Sequence, residues 1–562
     1  MIKTVLTFWK EYFIDNPKRK YPLIMLFFIV SMEFFVVYLN VCFNTWRNGF
    51  YNSLQNVDKL AFLHSIYVFM GLALTFVGVI GYKNYLMQKL QIEWRLWKTQ
   101  FYLDKWLDQQ LYYGCQFLDG VDNINQRIGE DINSFIASSI SLTLGVLSSI
   151  TTFFSFIFIL WELSSDTISF SLFNYSMSIS HYLVWAVLLY SIFGTWVTKK
   201  IGRPLSNMRY QQELFEANLR STLVRTTENS EKIALAKGEK WQKNLIINKF
   251  NKIYENFNII NKKQKHLTWW SSYFAQIAVV FPYLVSAPRY FAGTIKLGGL
   301  MQVASAFDSV QTSLGWIVDN YNNLASFKAN TLRLKGFDDA GEHWASIKKN
   351  QRITVKDSDH IGFKHLQIKL PNEKIILNSQ SFRLKQGDKC LIKGASGVGK
   401  STILRAMSNI WPNAHGSILK PKQSVTMFLS QDTNIPEGSM IDVLSYPNNQ
   451  SINFEILNNL LIIFDLQFIT ENLQETNNWD KILSNGQKQK IAIIRAILQK
   501  PDILFLDETT SSLDEMSEEI AIKTLFSYLD KSTIITVGHR ETLNKFHNRK
   551  FFLYNSNLKE II

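Results

Sequence analysis

Cysteine is nearly absent: three residues in 562, Cys42, Cys115 and Cys390, with no paired spacing. That scarcity excludes a disulfide framework and a cysteine-based zinc site, and three inert thiols suit a reducing compartment. Also missing is any compact Lys/Arg block interleaved with aromatic residues, the pattern by which a basic chain would hold nucleic acid. The formal charge of +14 is instead spread along helical stretches that flank long apolar runs. A membrane surface, with basic loops held on one side of it, accounts for the charge better. The first apolar run follows Lys18, Arg19 and Lys20 and is too long for a signal core. No small-residue cleavage site comes after it, so it reads as a retained span.

What the chain has in quantity is apolar and aromatic surface: 47% hydrophobic and 14% aromatic residues, with 41 Phe and 15 Trp. Nearly all long apolar runs fall between residue 20 and about residue 330, and the remainder reads as a soluble α/β domain. A span needs roughly 20 mostly apolar residues, and six runs qualify, near 21–43, 64–87, 135–161, 182–199, 267–288 and 298–323. The sixth carries Asp308, Gln311 and Asp319 and would escape a hydropathy search, which suggests an amphipathic helix with one wet face. The connection 199–266 is loaded with Lys and Arg, whereas 163–181 has neither. By the positive-inside rule this gives six spans with both termini cytoplasmic. Glu33 lies mid-span, where a lipid-facing charge is costly, so it should face the bundle interior or a watery cavity, as a paired structural group or as a substrate- or proton-linked one. Apolar residues recur at helical spacing through 205–265 (Leu214, Leu219, Leu223, Ile233), so long helices should run on from the spans into the cytosol. The expected organisation is a transmembrane domain over 1–334, a linker over 335–350 and a nucleotide-binding domain over 351–562.

The second half carries ordered nucleotide motifs. Gly394, Ala395, Ser396, Gly397, Val398, Gly399, Lys400 and Ser401 spell G-x-x-x-x-G-K-S between an apolar strand and a helix that begins at Thr402. Such a loop curls backbone N–H groups around phosphates, with the lysine on the β- and γ-phosphates and the serine hydroxyl on Mg²⁺. About 110 residues on, Ile503-Leu-Phe-Leu ends in Asp507 and Glu508. A buried parallel strand would deliver both acids at one edge, Asp507 to hold Mg²⁺ and Glu508 to polarise the attacking water.

Between these motifs, Leu483-Ser484-Asn485-Gly486-Gln487 resembles the LSGGQ signature of the ATP-binding-cassette (ABC) superfamily. Asn485 stands at a position where that family tolerates variation. The resemblance implies that Ser484, Gly486 and Gln487 contact the γ-phosphate of an ATP held by an opposite subunit. It also assigns Gln431 to the Q-loop, with a hand in metal and catalysis, Asp514 to the D-loop and His539 to the switch histidine. The implied cofactors are ATP and Mg²⁺. One departure is Leu370 before Pro371, where the family usually stacks adenine on an aromatic ring; adenine selectivity should be weaker for it.

The first half narrows the branch. Trp46-Arg-Asn-Gly-Phe50-Tyr51-Asn-Ser-Leu54-Gln55, Asp122-Asn123-Ile-Asn-Gln126-Arg127-Ile128-Gly-Glu130-Asp131 and Pro288-Arg-Tyr-Phe291-Ala-Gly293 with Gly299-Leu-Met301-Gln302 resemble SbmA/BacA-related transporters. The stretch from Glu216 to Glu239 is similar to the coupling segment of subfamily D. The resemblance covers about residues 20 to 550. It implies an exporter-like six-helix membrane domain, an α/β P-loop NTPase domain and a homodimer in a bacterial inner membrane. ATP hydrolysis would drive transport of a bulky hydrophilic solute, peptide or cobalamin-like, with import favoured. An exporter, an acyl-CoA-type lipid transporter and a proton-coupled permease with a regulatory ATPase are the alternatives.

Overall fold

The computed structural model describes residues 2–118, 124–164, 168–172, 175–350, 352–448 and 452–561. The chain divides into two compact units, Met1–Gly341 and Glu342–Ile562. Residues 335–350, expected as a linker, belong to one continuous helix, Tyr321–Asn350.

The first unit is helical. An amphipathic helix α1 (Ile2–Phe13) is followed by α2 (Lys20–Gln55), α3 (Lys59–Leu107), α4 (Ile132–Leu163), α5 (Tyr182–Glu228), α6 (Glu239–Phe291), α7 (Leu297–Asp319) and α8 (Tyr321–Asn350). Among the described residues, four stretches are long and apolar enough to cross a membrane: α2, α3, Ile124–Leu163 and α5. They hold the first four expected spans. The fifth and sixth lie in α6 and α7 and fall short of that apolarity. In α6 the cause is Trp269, Trp270, Ser271, Ser272, Tyr273 and Gln276 at the start of the run; in α7 it is the acidic and amide residues already noted. Between α4 and α5 a short antiparallel hairpin pairs Ile168–Leu172 with Tyr175–Ile179.

The polar connections do continue as helix: α3 runs to Leu107, α5 to Glu228, and α6 starts at Glu239. The expected motif around residue 122 is only partly described. Asp122 and Asn123 lie outside the described residues, whereas Arg127–Asp131 forms a π-helical turn leading into α4. The buried Arg127 guanidinium donates to the Arg333 carbonyl at 2.9 Å, and Arg333 pairs with Asp131 at 2.7 Å, which ties this turn to α8.

Helices α2, α3, α4 and α7 pack together, while α5 and α6 pair with one another along their length. The α5–α6 contact is aromatic: Tyr190 stacks on Phe274 with centroids 4.2 Å apart. A Cβ at Gly194 would sit 2.0 Å from that phenylalanine ring, so only glycine admits it. Close approach through small residues is how apolar helices associate without a hydrophobic drive. The α2–α7 seam uses the same device, because a Cβ at Gly298 would lie 2.0 Å from the Asn48 carbonyl. The α1 helix is pinned by rings: Tyr12 stacks on Trp94 at 5.2 Å, and Phe8 meets Phe135 edge-on at the same distance.

The second unit is α/β. One sheet contains β1 (Arg352–Asp357), β2 (Ile361–Lys369), β3 (Ile375–Leu384) and β5 (Ala414–Lys420), with β4 (Lys389–Lys393) belonging to a second sheet. That second sheet also holds β6 (Thr426–Leu429), β7 (Ile503–Asp507), β8 (Thr533–Val537), β9 (Arg549–Tyr554) and β10 (Asn557–Ile561). Its order is β10-β9-β4-β8-β7-β6, parallel except for the β9–β10 hairpin. β7 and β8 are buried at every position, as strands covered on both faces must be. In open sheets of this kind ligands bind beyond the carboxyl ends of the strands. Those ends carry the motifs: the loop 394–399 follows β4, Asp507 closes β7 with Glu508 just beyond, and His539 lies beyond β8.

Candidate functional site

The glycine-rich loop turns from β4 into a helix, Lys400–Met407. Gly397 and Gly399 have φ of +76° and +102°, in the left-handed region that glycine enters freely. A Cβ at Gly399 would also meet the Ile376 side chain at 2.3 Å. The loop therefore needs glycine there for its shape and for its packing. Lys400 is buried, and its Nζ donates to the Gly394 and Ala395 carbonyls at 3.1 and 2.9 Å and faces His539 Nε2 at 2.9 Å. Among the described residues it has no carboxylate within ion-pair distance. Burial lowers its pKa, while Glu508 and Asp507 pull it back up. A buried cation held only by carbonyl dipoles and an imidazole, beside a helix N-terminus, suits an anionic ligand.

Ser401 Oγ donates to Asp507 Oδ1 at 2.7 Å. Burial raises the Asp507 pKa, and the serine hydroxyl opposes the shift. The two oxygens form the hard donor pair that a magnesium ion takes. Next along the chain, Glu508 sits at φ +50°, an unusual conformation for a non-glycine residue, fixed by its N–H donating to the Val537 carbonyl at 3.0 Å. Its Oε1 lies 3.2 Å from His539 Nε2. Lys400, Ser401, Asp507, Glu508 and His539, which come from three separate strand ends, thus converge on one spot. Ser396 and Val398 lie in the same loop, and Thr402 is buried on the helix that follows it.

The remaining expected residues stand differently. Gln431 has an exposed side chain, and its carbonyl accepts from Gln489 Nε2 at 3.4 Å. Ser484 and Gln487 form a reciprocal capping box at the start of the helix Asn485–Gln499, which fixes that N-terminus. Gly486 lies beside the Ser512 carbonyl, 3.3 Å from where its Cβ would be. The Asp514 carboxylate caps the next helix, accepting from the Ser517 N–H at 2.8 Å and its hydroxyl at 3.0 Å, and these bonds lower its pKa. Among the described residues, no hydrogen bond joins 483–487 to the loop 394–402.

Sequence reasoning passed over two residues. Gln489 is buried, donates to Ser511 Oγ at 3.2 Å and accepts from the Ser512 N–H at 3.0 Å, so it ties the segment after Glu508 to Gln431. Arg540 grips the same segment through the Leu513 and Ser511 carbonyls at 2.7 and 3.0 Å. Both sit one or two positions past a recognised motif, and adjacency was the available signal.

In the first unit, a cavity of about 870 Å³ opens between α2, α3, α4 and α7. Glu33 lines it and pairs with Lys83 at 2.8 Å.

The family model "ABC transporter transmembrane region 2" matches residues 12–291, and "ABC transporter" matches 377–511. An uncharacterized ABC transporter ATP-binding protein of Haemophilus influenzae is 34% identical over 96% of this chain and 90% of its own length. The inner membrane ABC transporter ATP-binding protein YddA of Escherichia coli is 32% identical over 93% and 92%. ABC transporter D family member 2, chloroplastic, of Arabidopsis thaliana is 27% identical over 91% and 80%. In fold, the chain is similar to a bacterial Atm1-family ABC exporter with ATP bound, with TM-score 0.72 at 14% identity over 95% of this chain and 94% of that one.

Proposed function

From the premise that this chain belongs to the ABC transporter family, with permease and ATPase fused and with relatives among bacterial half-transporters and subfamily D, we propose that it works as a homodimer importing a bulky hydrophilic solute. ATP hydrolysis coupled to transport follows from membership of the family; the dimer, the cargo and the direction are the proposal.

The observation that carries the dimer is the half-built site. Lys400, Ser401, Asp507, Glu508 and His539 gather at one strand edge, while the capped helix start at Ser484 makes no bond to them. A second copy can supply the missing half, and symmetry then gives two equivalent sites. Bound Mg²⁺–ATP supplies the phosphoanhydride and a Lewis acid on its oxygens. Lys400 neutralises phosphate charge, exchanging the Gly394 and Ala395 carbonyl oxygens for phosphate oxygens. Ser401 and Asp507, with Gln431 of the Q-loop, would hold the metal when the nucleotide is bound. Glu508 accepts a proton from the attacking water; once Lys400 has turned from His539 to the phosphates, the imidazole Nε2–H is free to donate to that carboxylate across their 3.2 Å contact and orient it.

The polar lining of the cavity around Glu33 supports a hydrophilic cargo, and the dense Lys/Arg content of 199–266 favours a cytoplasmic ATPase in a bacterial inner membrane. The test is uptake of labelled cobalamin or peptide by right-side-out and inside-out vesicles. ATP-dependent accumulation should be lost in Glu508→Gln and should survive a protonophore. Persistence in Glu508→Gln together with collapse under the protonophore would make the chain a proton-coupled permease. Accumulation only in inside-out vesicles would make it an exporter.

A further inference from the structure

The cavity between α2, α3, α4 and α7 has three kinds of wall. Phe43 and Trp46 of α2 face Phe69 and Phe76 of α3; Phe43 lies 6.0 and 5.7 Å from the Phe69 and Phe76 rings, and Trp46 lies 4.9 Å from Phe69. Ser148 and Thr152 on α4, spaced i and i+4, and Ser309 and Thr312 on α7, spaced i and i+3, present hydroxyl stripes. Two acids and two bases complete the lining: Glu33, Asp308, Lys83 and Arg47. Glu33 and Lys83 are paired, with side chains 8% and 16% exposed. Arg47 and Asp308 have no ion-pair partner among the described residues.

We infer that this cavity selects a dipolar solute of no net charge, carrying one cationic and one anionic group on an aromatic or apolar body, and that the Glu33–Lys83 pair sets the charge preference. This inference rests on the transport reading above. The formal charge of the four lining groups sums to zero, so neither a polyanion such as an acyl coenzyme A nor a polycation is matched there. In a cavity between membrane-spanning helices, unmatched charge is less well screened than in water and is expensive. Arg47 and Asp308 offer one opposite partner to each end of a dipolar solute. The Glu33–Lys83 pair keeps two further charges satisfied in the empty state and can exchange partners with the solute without leaving a bare ion. The aromatic wall receives the apolar body, and the hydroxyl stripes take its remaining polar atoms.

Binding to the full-length protein in nanodiscs, measured by equilibrium dialysis without nucleotide, separates this inference from the ATP-driven reading. The probe is the tritiated tripeptide alanyl-phenylalanyl-alanine as the zwitterion, as its N-acetylated anion and as its C-amidated cation, with palmitoyl coenzyme A as competitor. Wild type should prefer the zwitterion to either blocked form by about tenfold. Glu33→Gln should move the preference about tenfold toward the anion, and Lys83→Gln by a similar factor toward the cation. The Glu33→Lys/Lys83→Glu exchange keeps the pair and should keep the zwitterion preference, a control should either single variant misfold on gel filtration. Equal binding of the three forms, no binding of any, shifts in the same direction in both single variants, or displacement by palmitoyl coenzyme A at lower concentration than the zwitterion would each overturn the inference. Loss of ATP-driven accumulation in vesicles with these binding preferences intact would instead count against the transport reading alone.

Discussion

Asn48 donates to the side-chain carbonyl of Gln302 at 2.6 Å, and this bond is the centre of a polar seam between α2 and α7. Asn44 donates to the Gln302 main-chain carbonyl at 3.0 Å. The Gly298 and Leu297 N–H groups, at the open start of α7, are taken by Asn52 and Gln55 at 2.9 and 2.7 Å. Two of the sequence segments that resemble SbmA/BacA-related transporters thus meet face to face, the first capping the helix whose first turn carries the second. Gln302→Leu removes one partner and leaves Asn48 unmatched in a half-buried seam. It should cost about 1–2 kcal/mol and lower the temperature at which the detergent-solubilised protein leaves the monodisperse peak.

The segment 511–514 is held from two sides, by Gln489 and by Arg540. Neither residue reaches the glycine-rich loop, so Gln489→Ala should displace that segment without touching nucleotide. The expected result is a fall in kcat for ATP hydrolysis by about tenfold with KM little changed. A rise in KM of the same size would mean that Gln489 acts on the nucleotide-binding loop instead.

The legibility of this chain was uneven, for physical reasons. Strand-end chemistry was plain because a buried parallel strand needs an unbroken apolar run, so Ile503–Asp507 announces both the strand and the acids at its edge. The first four spans were equally plain. The fifth was a weaker apolar run and the sixth one that hydropathy alone would miss, because α6 and α7 carry the polar atoms that seams and cavities need. Glu33 could be placed facing inward, yet its partner could not be named, since Lys83 is 50 residues away and one helix over. Asp514 shows the opposite limit: its motif was recognised, but not that its carboxylate is committed to a helix cap. Caps follow from local geometry that a motif does not display.

Leu370 occupies the turn after β2, where its N–H bonds the Lys374 carbonyl at 2.9 Å. A leucine offers an adenine ring no π-face, and an aromatic stack is worth about 1 kcal/mol beyond the area it buries. Hydrolysis of ATP and GTP by the purified protein should differ by less than about tenfold in kcat/KM. Leu370→Tyr should widen the ratio in favour of ATP, chiefly through KM. A strong ATP preference in the wild type would show that base recognition lies elsewhere.

His547 is buried beneath the switch strand. Its Nδ1–H donates to the Leu543 carbonyl at 2.7 Å, and its Nε2 accepts from Thr536 Oγ1 at 2.8 Å, so the ring is held neutral. Burial pushes its pKa down from 6.5 to about 4. Between those values the unfolded chain binds a proton that the folded chain refuses, so the folded state loses stability as pH falls from about 6.5 toward 4. The full effect is on the order of 3 kcal/mol, and one of the ring's two partners, Thr536, lies on β8, the strand that leads to His539. Heating the full-length protein at pH 7.5 and pH 5 should therefore show an acid loss larger than that of His547→Gln. The glutamine amide can still donate to Leu543 and accept from Thr536, and it takes up no proton in this range. If the two proteins lose equal stability between those pH values, the acid sensitivity belongs to other groups and His547 is not its source.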